Sequence, residues 1–101
     1  MKSPVPVALP WYERSDFQAL RALFSDPETL PGDFAAWLSH AEIVERQLQA
    51  TGFTVVRILI RPTAFSAWCR GRGIPPDQRA RLSFANEAAR ALHAQERPSD
   101  G

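Results

Sequence analysis

The sequence has one cysteine, one lysine and no long apolar run. A single cysteine, Cys69, cannot form an intrachain disulfide, so the chain is not a disulfide-stabilised scaffold, and we expect a reducing compartment. No apolar stretch approaches the ~20 residues that a membrane-spanning helix requires. The N-terminus carries one lysine and then prolines, without the apolar region of a secretory leader. These absences predict a cytoplasmic protein, and 101 residues predict one domain, residues 1–101.

The sequence also lacks a strong net charge, which is +1 for the whole chain. This balance gives no whole-chain signature of a protein that binds nucleic acid or membranes. The charge is unevenly distributed, because residues 1–52 hold four basic and seven acidic residues and residues 53–101 hold eight and four. Eleven of the twelve basic residues are arginine, which suggests a GC-rich source genome.

Residues 53–61, Phe-Thr-Val-Val-Arg-Ile-Leu-Ile-Arg, form the one convincing β-strand pattern. A strand needs hydrogen-bonding partners, because its backbone N–H and C=O groups are otherwise unpaired. Two partners are available, the proline-containing N-terminal arm, residues 1–10, or the same strand of a second chain. The even positions of the strand, from Thr54 to Ile60, are predicted to be buried, and the odd positions only partly covered.

The other periodic segments predict four helices, which makes the fold class α+β: four helices packed on a minimal sheet built on residues 53–61. The first helix begins at Ser15, the second near Asp33, the third at Pro62 and the last near Asp77. Residues 95–101 are predicted to be a flexible tail. The predicted core consists of Phe34, Trp37, Leu38, Val56, Ile58, Ile60, Phe65, Trp68, Phe84 and Leu92.

A resemblance covers almost the whole chain. It rests on Asp16-Phe17, Leu20-Arg21-Ala22-Leu23-Phe24, Asp26-Pro27, Leu30-Pro31, Phe34, Trp37-Leu38, Gly52, Arg57, Pro62, Phe65, Trp68-Cys69, Ala80-Arg81 and Phe84-Ala85. On these residues the chain resembles a family of small bacterial proteins classed as a domain of unknown function. The resemblance implies a single soluble bacterial domain and implies no catalytic residue.

A second, partial resemblance concerns residues 53–93. The order of strand, proline, short helix, glycine-containing turn and longer helix is similar to that of ribbon-helix-helix repressors. Such proteins pair the strand with that of a second chain and insert the ribbon into the DNA major groove. Here the outer face of the strand would present Phe53, Val55 and Leu59, which are apolar, where base contacts need polar groups.

No residue pattern indicates catalysis or a metal site. His40 and His93 lack a metal-binding neighbour at helical spacing, Cys69 is predicted to be a buried, inert thiol, and the glycines near residue 72 follow a helix and do not form a phosphate loop. We therefore predict no catalytic residue, no cofactor and no metal, and expect that the protein is not an enzyme.

Arginines are the main candidates for binding. Arg70, Arg72, Arg79 and Arg81 surround one turn and form a candidate patch for a phosphate or an acidic protein. Arg81 falls on the apolar face of the last helix and needs a partner there. Asp77 and Glu45 are its predicted partners in a half-buried ion pair, and the alternative is an arginine that lines an anion pocket.

The sequence favours a non-enzymatic protein-interaction module whose partner is an unknown protein, with a second copy of the chain as one candidate. The alternative is a DNA-binding repressor of the ribbon-helix-helix type, although nucleic acid is the less favoured partner. A protein that binds a small anion, or an unrecognised enzyme, is the third reading.

Overall fold

The computed structural model describes residues 6–96 and the side chains of residues 6–94. The order of elements is β1 (Val7–Trp11), α1 (Phe17–Leu23), α2 (Phe34–Ala50), β2 (Val55–Leu59), α3 (Pro62–Arg72) and α4 (Gln78–Glu96). Short 3₁₀ turns lie at Arg14–Asp16 and Pro27–Thr29. Four helices and a two-stranded sheet confirm the predicted α+β class.

The partner of the predicted strand is the N-terminal arm. β1 and β2 pair in parallel, with Val7 opposite Val55 and Trp11 opposite Leu59. β2 is shorter than predicted at both ends. The N–H of Phe53 donates to the carbonyl of Leu48 at the end of α2, and Arg61 already forms the N-cap of α3. Residues 1–5 of the predicted arm and residues 97–101 of the predicted tail lie outside the described residues.

Local signals set most helix ends. The carboxylate of Asp33 accepts the N–H of Ala36 at 2.8 Å and caps α2. Gly52 follows α2 with φ +101°, a conformation that favours glycine, and Pro62 occupies the first turn of α3. The prediction at Ser15 is wrong, because Ser15 lies in a 3₁₀ turn and α1 begins at Phe17.

The core lies between the sheet and the helices. Of the predicted core, Trp37, Ile58, Ile60 and Phe65 are buried, and Phe34, Leu38, Val56, Trp68 and Phe84 are partly buried and packed against the core. Leu92 is 44% exposed, which corrects its assignment to the core. On α4 that position is taken by small residues, since Ala85 and Ala89 pack against Ala8 and Ile58. Their small side chains let the helix approach the sheet closely.

A cluster of aromatic residues joins the end of β1 to α1 and α2. The ring of Tyr12 lies 4.8 Å from that of Trp37, and the Trp11 ring lies 5.2 Å from it. Phe17 and Phe34 meet edge to face at 5.9 Å. These contacts pack the end of β1 and Tyr12 against α1 and α2.

Candidate functional site

Arg81 is the buried charged residue among the described side chains, at 4% exposure. Its Nη1–H donates to Oδ1 of Asp26 at 2.8 Å, and its Nη2–H donates to Oγ1 of Thr29 at 3.2 Å. The guanidinium also lies 4.2 Å from the centre of the Phe24 ring. These contacts offset the cost of removing the charge from water. Arg81 therefore forms a buried ion pair, as one of the two sequence-based readings predicted.

The two predicted partners of Arg81 are both wrong. Oδ1 of Asp77 accepts the N–H of Ala80 at the start of α4, and Glu45 takes two hydrogen bonds of 2.8 Å from Arg57. The helical period places Arg81 correctly on the inner face of α4. It cannot show that the loop after α1 folds against the start of this helix, where the N–H of Ser25 donates to the carbonyl of Pro76.

Asp26 joins that loop to α4 through both carboxylate oxygens. While Oδ1 accepts from Arg81, Oδ2 accepts the backbone N–H of Gln78 at 2.9 Å. Burial alone would raise the pKa of Asp26, but the hydrogen bonds from Arg81 and Gln78 outweigh it and lower the pKa below the usual range. Asp26 is thus held as a carboxylate at the helix N-terminus, where negative charge is stabilising.

The four arginines of the predicted patch have different surroundings. Arg72 pairs with Glu87 at 2.9 Å and stacks over Trp68, and Arg81 is the buried residue just described. Arg70 and Arg79 line separate hollows. Anion binding by the patch stays a prediction, with Arg70 and Arg79 as its exposed members outside these two ion pairs.

The outer edge of β2 is the second candidate surface. In a parallel ladder, alternate residues direct their backbone groups to opposite sides. The N–H of Val7 donates to the carbonyl of Thr54, and the N–H of Ile60 donates to the carbonyl of Trp11. The even residues of β2 therefore pair with β1, whereas Val55, Arg57 and Leu59 direct their backbone groups away from it. Within residues 6–96, no other strand pairs with that edge.

The outer edge of β1 differs because it contains a proline. Pro10 lies in register with Ile58, and its alternation places its backbone on the side away from β2. Since proline has no N–H, this edge lacks a donor at its centre and cannot extend a ladder well. β2 contains no proline, so the sheet has one protected edge and one open edge.

The side chains beside the open edge are a mixture of apolar residues and one ion pair. Leu59 is 40% exposed and Phe53 is 48% exposed. Arg57 stacks 3.9 Å above the Trp11 ring and donates two hydrogen bonds to Glu45, and this contact lowers the pKa of Glu45. The charge of Arg57 is therefore largely neutralised by its own chain.

A family model described as "Domain of unknown function (DUF8829)" matches residues 2–96. The chain belongs to this family. No curated protein and no solved structure was found to match the chain. No helix within residues 6–96 has the length and apolar character that crossing a membrane requires. DNA binding of the ribbon-helix-helix type stays a prediction.

In this family member, the cysteine and the histidines occupy separate places. Cys69 is 3% exposed, and burial together with the negative charge of Asp77 raises the pKa of its thiol. His40 is exposed on α2 and His93 is half-buried on α4. Across the described part of the chain, no group of three His, Cys, Asp or Glu side chains could hold a metal ion.

Sequence reasoning missed two residues that matter here, Asp26 and Tyr12. Asp26 precedes Pro27, a position that favours the end of a helix, and the polar turn Asp-Pro-Glu-Thr that contains it is the available signal. Tyr12 follows the arm and gave no periodic signal, yet it is only 3% exposed. Burial raises the pKa of Tyr12 to about 12, against the opposing effect of the nearby Arg81 guanidinium.

Proposed function

We propose that the protein is a non-enzymatic interaction module of the bacterial cytoplasm that acts as a homodimer joined through the outer edges of β2. The observation that carries this proposal is the row of unpaired backbone groups at Val55, Arg57 and Leu59. An exposed edge of this kind is a ready template for a further strand, and proteins usually block it with proline or charge.

A second copy suits the edge because the edge is complementary to itself. If two β2 strands run antiparallel about a two-fold axis at Arg57, Val55 of each copy lies opposite Leu59 of the other. Apolar cross-strand pairs of this type stabilise a sheet by roughly 0.2–1 kcal/mol each. The two Arg57 side chains would meet at the axis, but each is neutralised by its own Glu45 at 2.8 Å. The pairing therefore adds little charge repulsion.

Pro10 supports a closed dimer over a longer assembly. The combined sheet would have the order β1-β2-β2-β1, with a β1 strand at each outer edge. Each outer edge then carries a proline in the middle of the strand, and further strands cannot be added efficiently. Such an isologous contact closes after two copies, as most soluble homo-oligomers do.

The state of Cys69 supports the non-enzymatic part of the proposal. A thiol acts as a nucleophile in its ionised form, and burial keeps the pKa of Cys69 raised. In a reducing cytoplasm, this buried thiol would remain a small apolar core residue. The proposed role is thus one of recognition through the sheet edge.

The homodimer can be tested by sedimentation equilibrium of the wild type, Leu59→Lys and Ile74→Lys. Both substitutions place a lysine at an exposed apolar position, 40% and 37% exposed respectively, but only Leu59 lies on the β2 edge. We expect the wild type and Ile74→Lys to be dimers that dissociate on dilution. Leu59→Lys should be monomeric at the same concentrations, because a charged edge opposes pairing.

Circular dichroism and thermal melting of each variant would establish that both substitutions leave the protein folded. A wild type that stays monomeric at every concentration would contradict the proposal. So would equal dimerisation by Leu59→Lys and Ile74→Lys, because the contact would then lie elsewhere.

A further inference from the structure

A cleft of about 220 Å³ lies beside the Arg81–Asp26 pair. It is formed where the end of β1, the loop after the second 3₁₀ turn, α2 and the start of α4 meet. Six side chains with hydrogen-bonding groups line it: Tyr12, Thr29, Trp37, His40, Gln78 and Arg81. Their convergence from four segments of the chain, next to apolar side chains, is typical of a small-molecule site. The volume limits the ligand to a small one.

The hydrogen bonds leave donors unused at the inner end of the cleft. A guanidinium has five N–H groups, more than Asp26, Thr29 and the Tyr12 oxygen take up. Tyr12 is 3% exposed, its oxygen accepts a hydrogen bond from Arg81, and no described residue accepts from its O–H. Arg81 cannot serve as that acceptor, because a guanidinium has no available lone pair. Because Tyr12 lines the cleft, its O–H can donate to an oxygen atom of a ligand there.

Asp26 balances the charge of Arg81, so the preference for an anion comes from the hydrogen-bond donors of the cleft. None of the described residues that line it is acidic, whereas Arg81 is positively charged. Asp26 holds Arg81 from the other side and has both oxygens occupied, one by Arg81 and one by the N–H of Gln78. The ion pair therefore fixes the guanidinium in place without filling the cleft.

Apolar side chains also line the cleft. The indole of Trp37 and the side chains of Leu30 and Pro31 form one wall. Trp37 is held by Tyr12 at 4.8 Å and by Trp11 at 5.2 Å, so this wall is fixed by the aromatic cluster. A ligand that fills the cleft would need a small apolar body in addition to its acceptor oxygens.

We propose that this cleft binds a small carboxylic acid whose carboxylate accepts hydrogen bonds from Tyr12 and Arg81 and whose apolar part lies against Trp37. The site is separate from the β2 edge and does not depend on dimerisation. A hydrogen bond to a carboxylate is stronger than one to a neutral acceptor, because the acceptor is charged. The planar shape of a carboxylate matches the guanidinium.

The experiment is a ¹H–¹⁵N NMR titration of the full chain with benzoate, acetate and inorganic phosphate as separate probes. We expect saturable shifts with benzoate, largest at the indole N–H of Trp37, and weaker binding of acetate because it lacks the apolar body. Tyr12→Phe removes only the hydroxyl and should weaken benzoate binding about tenfold. Arg90→Gln removes an exposed positive charge from the same helix, away from the cleft, and should leave the affinity unchanged.

Since Tyr12 is a core residue, a second pair of variants is placed on the exposed surface of α2. His40→Glu puts a negative charge at the cleft and should weaken benzoate binding, whereas Gln49→Glu, on the opposite face of the helix, should not. Saturation by phosphate but not by benzoate would overturn the assignment to carboxylic acids. Equal affinity in the wild type, Tyr12→Phe and His40→Glu would overturn the site, as would equal shifts at all three indole N–H groups.

Discussion

Asp26 performs two structural tasks with one carboxylate, and both involve the start of α4. It neutralises Arg81 and accepts the N–H of Gln78, so the loop after α1 and the last helix are joined at one point. The pair Arg72–Glu87 has similar geometry at 2.9 Å, but both of its side chains are substantially exposed, at 48% and 37%. The energy of a buried ion pair can therefore be compared with that of an exposed ion pair in the same protein.

A double-mutant cycle between Asp26→Asn and Arg81→Gln should give a coupling energy of about 0.5–3 kcal/mol. Asp26→Asn alone should lower the free energy of unfolding by about 3 kcal/mol, because it leaves Arg81 buried without its counter-charge. The control cycle, Arg72→Gln with Glu87→Gln, should give less than about 1 kcal/mol, since water screens that pair. Urea denaturation measures all these values. Equal coupling in the two cycles would show that burial does not strengthen the Arg81 pair.

The same substitution should change how stability depends on pH. The pKa of Asp26 is lower in the folded chain than its ordinary value of 3.8, so the folded state binds fewer protons than the unfolded state in the acid range. The contribution of Asp26 is therefore complete above pH 3.8 and is lost as the pH falls through the folded pKa. We expect the stability difference between the wild type and Asp26→Asn to shrink over that range. A difference independent of pH would contradict the ion pair.

At the scale of elements, the sequence predicted the positions of helices and strands better than it predicted contacts between distant segments. The predicted alternation holds from Arg57 to Ile60 but is wrong at Thr54, which is exposed. The helix starts predicted near Asp33 and at Pro62 both appear in the structure. What failed depends on distant chain segments. Alanines of α4 are buried where Leu92 was expected, because β1 packs against this helix. The partner of Arg81 is Asp26, which lies in a loop. No pattern within a helix carries that information.

The pairing of β1 with β2 makes a strong prediction for truncated chains. Deleting residues 1–10 removes most of β1 and the buried Ala8, whereas deleting residues 1–5 leaves β1 (Val7–Trp11) whole. Each lost ladder hydrogen bond costs about 1 kcal/mol, and the apolar side of β2 would also be uncovered. The total approaches the ~5–15 kcal/mol by which small domains are stable.

We therefore expect the chain without residues 1–10 to be unfolded or to melt at a much lower temperature, and the chain without residues 1–5 to melt as the wild type does. Circular dichroism during heating measures both. Native melting of the longer deletion would mean that β1 is dispensable and that the sheet does not need its parallel partner.

At the scale of the whole molecule, the proposed dimer contact and the proposed ligand cleft lie at different parts of one sheet. The open edge of β2 is proposed to bind a second copy, and the end of β1 contributes Tyr12 to the cleft. Pro10 bears on both, since its missing N–H protects the outer edge of β1 and the residue also lines the cleft. Because proline lacks an N–H, a proline-containing strand is confined to a sheet edge. It could not indicate which of the two edges would remain open, because that depends on the parallel register.

Pro10→Val tests whether the proline limits assembly. Valine restores an N–H at the centre of the outer β1 edge and favours strand conformation, so both edges of the sheet could then accept a strand. We expect sedimentation velocity to show species larger than the dimer, growing with concentration. Leu9→Val is the matched control, because it adds a β-branched residue to the same strand but its N–H already points towards β2. If Pro10→Val remains a dimer like Leu9→Val, the outer edge of β1 is blocked by something other than the missing donor.

Combining Pro10→Val with Leu59→Lys should restore a closed dimer, now paired through β1, because only one open edge per chain would remain.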